Sequence, residues 1–538
     1  MLLLAALARN KKTKDDYSST GLRAVDLIAA LAAAVIAAVV WYLYYEQYFI
    51  GLTLNDGMDY AGIARNVAEG EGFISQYVTP LGMAHHGVPQ PDMWRAPHWP
   101  LALAGFQKIF GFIDEASALG SGFFFVAAAP LVFLLARQLF NHAVAAGSVF
   151  LYISSPQLLY YSISGMTESM AVFFMVLLFL MLLSPATNNR AGDLALGVVS
   201  GLFYLARYNA LLFLPFIVLF RVWQGKKPAA GTALRVTLGF IATTLPWLAR
   251  NTVLFGSPLF SLQKYEPLMF TKTYPDYLLY VLPVKLDVAG FIKNNPGEIM
   301  EKVANSWHEF AQMSGSIDFW GVELFIVVLF LLPVFFVNKK VSAFKLLVAM
   351  LFIVQMAALL VIHFIPRLFL IFTPLIIIGG LGSLTTALCA VICQARNPFF
   401  GKALNAAFSM ALVVLAAVYG VWGIYSSKPD IPEKTMFPKE INAIANATAR
   451  GDLVMTNEGH LVSWYGNRYA VKIPYSPDMI PEIEKKSPVK ALFISNRILW
   501  HMPEASREWK IIFYQHPEKI YDLRLYQVFP DKSLLYLK

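Results

Sequence analysis

Uncharged apolar runs alternate with short polar stretches over the first 425 residues, and each run is long enough to cross a bilayer or to pair as a shorter hairpin within it. The first run covers 25–45 and leaves the basic start of the chain, Arg9, Lys11, Lys12 and Lys14, on the cytoplasmic side. Residues 46–115 then form a long outer loop. The chain returns inward at 120–140, goes out at 143–160, turns at 161–168 and comes in again to about 183. The run 194–220 is interrupted by Arg207-Tyr208-Asn209, which predicts a hairpin of two short helices with Arg207 near the outer surface. Residues 231–248 lead out to a second outer loop, 250–319. After it, 322–337 go in, 341–362 come out, 363–367 turn, 368–393 go in and 403–425 come out. The sum is about 11 spans. Arg137 falls at the inner end of a run, and Arg190, Arg221, Lys226, Lys227, Lys339, Lys340, Arg396 and Lys402 fall in loops that this scheme puts inside.

An odd number of spans puts 426–538 outside, and that segment changes character. Charges and prolines appear at the density of a soluble protein, and short apolar runs at 453–456, 469–473, 491–494 and 511–514 alternate with helix-like pieces. The expected fold is therefore a multi-pass α-helical membrane domain, 1–425, carrying a small extracytoplasmic α/β domain, 426–538. Composition agrees: 57% of the 538 residues are hydrophobic against 14% charged, and the mean hydropathy is +0.55. The net charge of +9 sits largely in short inner loops, so it orients the chain and does not indicate nucleic acid. The 2 cysteines, Cys389 and Cys393, lie one helical turn apart in an apolar run and read as small helix residues. The basic start leads into an apolar stretch without a cleavage site, so the first run is expected to be retained as a span.

Ionisable residues near apolar spans are expensive unless paired or used, and here they collect on one side. Glu46, Asp56, Asp59, Arg95, His98, Glu168, Arg207, Arg250, His363 and Arg367 all fall at outer ends or in outer loops. The densest stretch is Asn55-Asp56-Gly57-Met58-Asp59-Tyr60, which sets two carboxylates three residues apart at the start of a short amphipathic helix. Carboxylates supply a base or a ligand, and guanidiniums grip phosphate in bidentate fashion. An outer cavity is the expected site.

The order of these motifs resembles one superfamily. Asp56-Gly57-Met58-Asp59-Tyr60 is followed by Arg95-Ala96-Pro97-His98-Trp99-Pro100, Gly165-Met166-Thr167-Glu168-Ser169, Leu205-Ala206-Arg207-Tyr208 and Pro246-Trp247-Leu248-Ala249-Arg250-Asn251. Arg367 then precedes an apolar helix with Pro374. The chain looks like a GT-C glycosyltransferase of the branch that contains protein O-mannosyltransferases and the lipid A aminoarabinose transferase. The resemblance implies an inverting enzyme of the plasma (inner) membrane. It would take a sugar from a polyprenyl-phosphate donor and give it to a lipid, glycan or protein acceptor outside. It also implies Asp56 as base, Asp59 as support or sugar ligand, and Arg95, Arg207, Arg250 and Arg367 as phosphate ligands. Tyr60, His98, Glu168 and Lys264 complete the set as substrate contacts. Related oligosaccharyltransferases use a divalent cation and the mannosyltransferase branch generally does not, so no metal or other cofactor is expected. His85, His86 and His98 show no diagnostic ligand spacing.

Structural alternatives stand beside these roles. Asp56 and Asp59 suit a helix start, Arg95 suits a loop salt bridge, and Arg250 and Arg367 suit anchoring at the headgroups. A lipid-linked sugar flippase or secondary transporter is the second reading, since transporters also carry ionisable groups on broken helices. The 426–538 segment offers acceptor recognition or a lid.

Overall fold

The computed structural model describes residues 23–224, 228–332, 339–392, 437–500, 502 and 504–538, with isolated helical positions between 407 and 418. The basic start of the chain, Lys226, Lys227, Arg396, Lys402, Cys393 and most of the run 403–425 lie outside the described residues.

The membrane part is a bundle of helices. Helix α1, Ala24–Tyr48, buries Ala30, Ala33 and Ala37 and turns Leu27, Leu31 and Val35 outward. The alanine stripe permits close packing on α4, Asp114–Leu139. Contact is closest where Trp41 covers Gly122, at which a Cβ would stand 2.2 Å from the indole. The outward run 143–160 is broken into α5, His142–Ile153, and α6, Pro156–Ser162, bent by 60°. Pro156 cannot donate to the helix ladder, and Ser155 caps the new start. Helix α7, Glu168–Leu183, is buried along most of its length and forms the centre of the bundle. Helix α8, Arg190–Ala206, packs on α10, Ala229–Phe255, through Gly197, where a Cβ would stand 2.0 Å from the Val236 carbonyl oxygen.

The hairpin expected at 194–220 is present. Helix α8 ends at Ala206, Arg207 is extended, a 3₁₀ turn covers Tyr208–Phe213, and α9, Leu214–Gln224, returns so that Arg221 pairs with Asp193 at the start of α8. The bundle continues with α11, Pro296–Met313, α12, Leu324–Leu331, α13, Lys339–Val361, and α14, Thr373–Ile392.

Five helices among the described residues are long and apolar enough to span a membrane, and the bent pair makes a sixth. Glu168–Leu183 and Tyr208–Gln224 are apolar but shorter. The chain is a multi-pass helical membrane protein with at least 5 apolar spans. The end of the bundle opposite the loops 46–115 and 250–319 is tied by arginine ion pairs and one histidine contact. Asp26 holds Arg137 at 2.9 Å and His142 at 2.8 Å, and Asp193 holds Arg221 at 2.9 Å and Arg235 at 2.8 Å. Arginines that read as loose inner-loop charges in the sequence are therefore structural clamps there.

Residues 437–538 build a sheet flanked by helices, with strand order β2-β5-β4-β6-β9-β8-β7. Strands β4 (Leu453–Thr456), β5 (Tyr469–Lys472) and β6 (Val489–Ile494) are parallel, and β9 (Leu534–Leu537), β8 (Leu523–Val528) and β7 (Lys519–Ile520) add antiparallel. The edge strand β2, Tyr77–Val78, comes from the loop 46–115 and pairs parallel with β5, Tyr77 opposite Ala470 and Val78 opposite Val471. The sheet is thus shared between the two expected domains. Side chains secure the joint. Arg65, on helix α2 (Asn55–Glu69), donates to the carbonyls of Trp464 (2.9 Å) and Ser463 (2.8 Å), while Asp114 accepts from Trp464 Nε1 and the Tyr465 hydroxyl at 2.7 Å each.

Candidate active site

Helix α2 starts directly after the extended Leu54, so Asp56 and Asp59 lie one turn apart on the same face. Gly57 lets the helix press against the turn before α7, since a Cβ there would come within 2.6 Å of the Ser164 carbonyl oxygen. Arg95 reaches this face from a turn fixed by Asp92, whose Oδ1 accepts the backbone N–H of Trp94 (3.1 Å) and Arg95 (2.7 Å). Its guanidinium lies over the Tyr60 ring, 4.8 Å from the centroid.

Three carboxylates and three guanidiniums alternate from here. Asp59 Oδ2 accepts from Arg95 Nε at 2.7 Å, and Asp56 Oδ1 accepts from Arg95 Nη2 at 2.7 Å. Asp56 Oδ2 accepts from Arg367 Nη2 at 2.6 Å. Arg367 Nε stands 3.6 Å from Glu168 Oε1, which lies 2.6 Å from Arg207 Nη2. The Arg207–Glu168 contact is an ion pair without hydrogen-bond alignment, which leaves Arg207 Nε and both Glu168 oxygens without a hydrogen bond. The contributors stand at one end of the bundle: Glu168 starts α7, Arg207 follows α8, and Arg367 follows α13.

Burial alone would raise the Asp56 carboxyl, but the charges of Arg95 and Arg367 outweigh it and hold it far below the ordinary carboxylate range. Asp59 moves the other way, because burial outweighs its one guanidinium. The set does not fit a divalent cation. Both Asp56 oxygens already face guanidiniums, and no group of three or more His, Cys, Asp or Glu among the described residues is arranged to hold a metal. Guanidiniums with partly exposed edges suit an anion.

Residues 94–249 match the family described as dolichyl-phosphate-mannose-protein mannosyltransferase, a segment that carries Arg95, Glu168 and Arg207. The Archaeoglobus fulgidus oligosaccharyltransferase, in its complex with Zn and sulfate, superposes with a TM-score of 0.55 at 14% identity, over 87% of this chain and 68% of that one. ArnT from Cupriavidus metallidurans bound to undecaprenyl phosphate superposes with a TM-score of 0.55 at 12% identity, over 94% of this chain and 97% of that one. The chain has the GT-C fold. No curated protein matches by sequence.

Within this GT-C chain the ion-paired cluster gathers Asp56, Asp59, Arg95, Glu168, Arg207 and Arg367, with Tyr60 beneath Arg95. Three other expected residues stand apart from it. Arg250 is packed over Trp247, 4.4 Å from the centroid, and donates to the carbonyls of Phe73 and Asp92, so it braces the loop 46–115. His98 hydrogen-bonds through Nδ1 with the Leu202 carbonyl at 3.0 Å and packs on Phe174. Lys264 lies over Phe260 and Tyr265. His85 pairs with the Tyr265 hydroxyl and His86 with its neighbour Gly87, which separates the loop histidines.

Sequence reading missed several groups. Burial and the nearby Asp59 push the Asp92 carboxyl up to about 7. Glu266, from the 3₁₀ turn Leu262–Leu268 in the loop 250–319, is also pushed up to about 7 by burial, within reach of the charges of Lys302, Arg95 and Asp56. His460, on the α/β segment, packs tilted against Tyr77 with ring centroids 3.8 Å apart; burial lowers its ring to about 3, so it faces the cluster neutral. Only for Asp92 was there a usable signal: an Asp three residues before an Arg, within a Pro-flanked turn.

Proposed function

We propose that this chain is an inverting glycosyltransferase that moves a sugar from a polyprenyl-phosphate carrier to a lipid, glycan or protein acceptor at the outer face of the membrane. The observation that carries the reading is the cluster itself, with Arg95 and Arg367 paired to Asp56, and Arg207 to Glu168, at one end of an apolar helix bundle. Guanidiniums suit a lipid phosphate, and a carboxylate beside them suits the proton of an incoming hydroxyl.

In the reaction the acceptor oxygen bonds to the anomeric carbon as the carbon–oxygen bond to phosphate breaks on the opposite face of the sugar. The leaving phosphate keeps the bonding electron pair and stays on the polyprenyl chain, and the acceptor's proton passes to Asp56. Arg95, Arg207 and Arg367 gather the phosphate. Asp59 orients Arg95, Glu168 holds Arg207, Tyr60 supports Arg95 from below, and Arg250 steadies the loop. The undecaprenyl phosphate bound to ArnT is the ligand class carried over to this chain. Completion to about 11 spans sets the start of the chain in the cytoplasm and residues 426–538 outside the inner membrane. There the α/β segment serves acceptor recognition or acts as a lid.

The interruption at Arg207 favours the second reading, a transporter of lipid-linked sugar. One experiment separates the two. Purified full-length chain, supplied with a membrane extract that holds polyprenyl-phosphate sugars together with lipid, glycan and protein acceptors, is followed by mass spectrometry of the lipids. The transferase reading expects free polyprenyl phosphate from the wild type and unconverted donor retained by Asp56→Asn. No conversion by the wild type, together with movement of lipid-linked sugar across vesicles by both forms, refutes it.

A further inference from the structure

The cluster carries no spare positive charge. Asp56, Asp59 and Glu168 balance the charge of Arg95, Arg207 and Arg367, so a phosphate that enters competes with a carboxylate for guanidinium charge. Exposure shows which carboxylate gives way. Asp59 is 6% and Glu168 2% exposed, and their arginines, Arg95 and Arg207, are 19% and 9% exposed; Asp56 is 26% and Arg367 28% exposed, so their contact is the one most open to a ligand. Asp56 also divides its two oxygens between two arginines and retains Arg95 when Arg367 leaves.

We propose that Asp56 holds Arg367 in the ligand-free chain as a stand-in for the donor phosphate, and that capture of Arg367 by that phosphate frees Asp56 to accept the acceptor's proton. The inference rests on the sugar-transfer reading and adds an order of events to it. A carboxylate gripped by two guanidiniums is a weak base. Removing one of them raises its proton affinity at the moment the donor is seated. The remaining groups around Asp56 are Arg95, Asp59, Tyr60, Tyr77, Glu266, Tyr277, Tyr280 and the neutral His460. Of these, only Arg95 is a cation, so Arg367 is the one that can leave while Asp56 stays paired. After transfer the proton leaves Asp56 for solvent, the carboxylate retakes Arg367, and the polyprenyl phosphate is displaced.

The distinguishing consequence concerns binding. If Asp56 competes with phosphate, removing its charge strengthens binding of the product lipid even as it abolishes transfer. The test measures the Kd of undecaprenyl phosphate for the full chain in detergent, comparing wild type, Asp56→Asn, Asp56→Glu and Arg367→Gln. Asp56→Asn is expected to bind at least about tenfold more tightly, Asp56→Glu to bind near the wild-type Kd, and Arg367→Gln to bind more weakly. Asp56→Ser gives the same comparison if the amide variant melts early. A neutral variant that melts like the wild type and binds no tighter overturns the inference. Loss of transfer in that same variant leaves the sugar-transfer reading standing, whereas retained transfer refutes that reading instead.

Discussion

Asp92 couples the fold to pH through one buried carboxyl. It is 1% exposed, its Oδ1 holds the turn that presents Arg95, and its Oδ2 is buried without a hydrogen-bond partner. Burial first, and then the nearby Asp59, raise this carboxyl from 3.8 to about 7, against the opposing pull of Arg95 and Arg250. The folded chain therefore binds this proton more tightly than the unfolded chain does. The stabilisation is complete below pH about 4 and disappears as pH rises through about 7, and its full size is about 4 kcal/mol. Asp92→Asn keeps an acceptor for the two N–H groups and removes the titration. The new amide donors at the Oδ2 position lack an acceptor, which costs about 1–3 kcal/mol. Above pH 8 the variant is thus expected to be about 1–3 kcal/mol more stable than the wild type, and below pH about 4 about 1–3 kcal/mol less stable. Thermal melts of the two detergent-solubilised proteins from pH about 4 to about 9 measure the crossing. Parallel melting curves across that range would refute the assignment of a neutral carboxyl to this site.

Three further outcomes follow from contacts elsewhere. Asp193→Asn leaves the 1% exposed Arg221 without its counter-charge and is expected to destabilise the bundle by about 3–5 kcal/mol, seen as a lowered melting temperature. Arg65→Ala removes charged hydrogen bonds to the Trp464 and Ser463 carbonyls, of about 1.5–3 kcal/mol each, and is expected to speed proteolysis of the α/β segment with the bundle intact. Gly122→Ala puts a methyl 2.2 Å from Trp41 and is expected to loosen α1 from α4 by about 1–3 kcal/mol, read as reduced thermal stability.

Much of the helical scaffold was visible in the hydropathy pattern, because a bilayer demands long apolar segments and leaves few alternatives. The same pattern overlooked how the interior is filled. Residues 143–160 read as one span, but Ser155-Pro156 breaks the ladder and bends it, and α7, buried along most of its length, is shorter than the helices long enough to span. The role of strand β2 was hidden for a different reason. Two residues, Tyr77 and Val78, are too few to carry a period-two signal, and their partner Ala470-Val471 lies almost four hundred positions away.

The site divides along the same physical line. That ionisable residues collect at one end could be argued from the expense of burying them, and this argument reaches Asp56, Asp59, Arg95, Glu168, Arg207 and Arg367. It cannot separate them from Arg250, His98 and Lys264, since all nine share the same side and differ only in what they touch. Nor can it say that two guanidiniums share Asp56, which is a matter of angle and reach between segments more than three hundred residues apart. That sharing changes the chemistry. An acid beside one arginine is an ordinary ion pair, but an acid between two is silenced until one of them leaves. A transferase that activates its carboxylate only when a phosphate is present keeps the base from acting on water or on an acceptor that arrives alone. In the order of events proposed above, the partly exposed Asp56–Arg367 contact, and not the buried Asp59 or Glu168, is where that control is exercised.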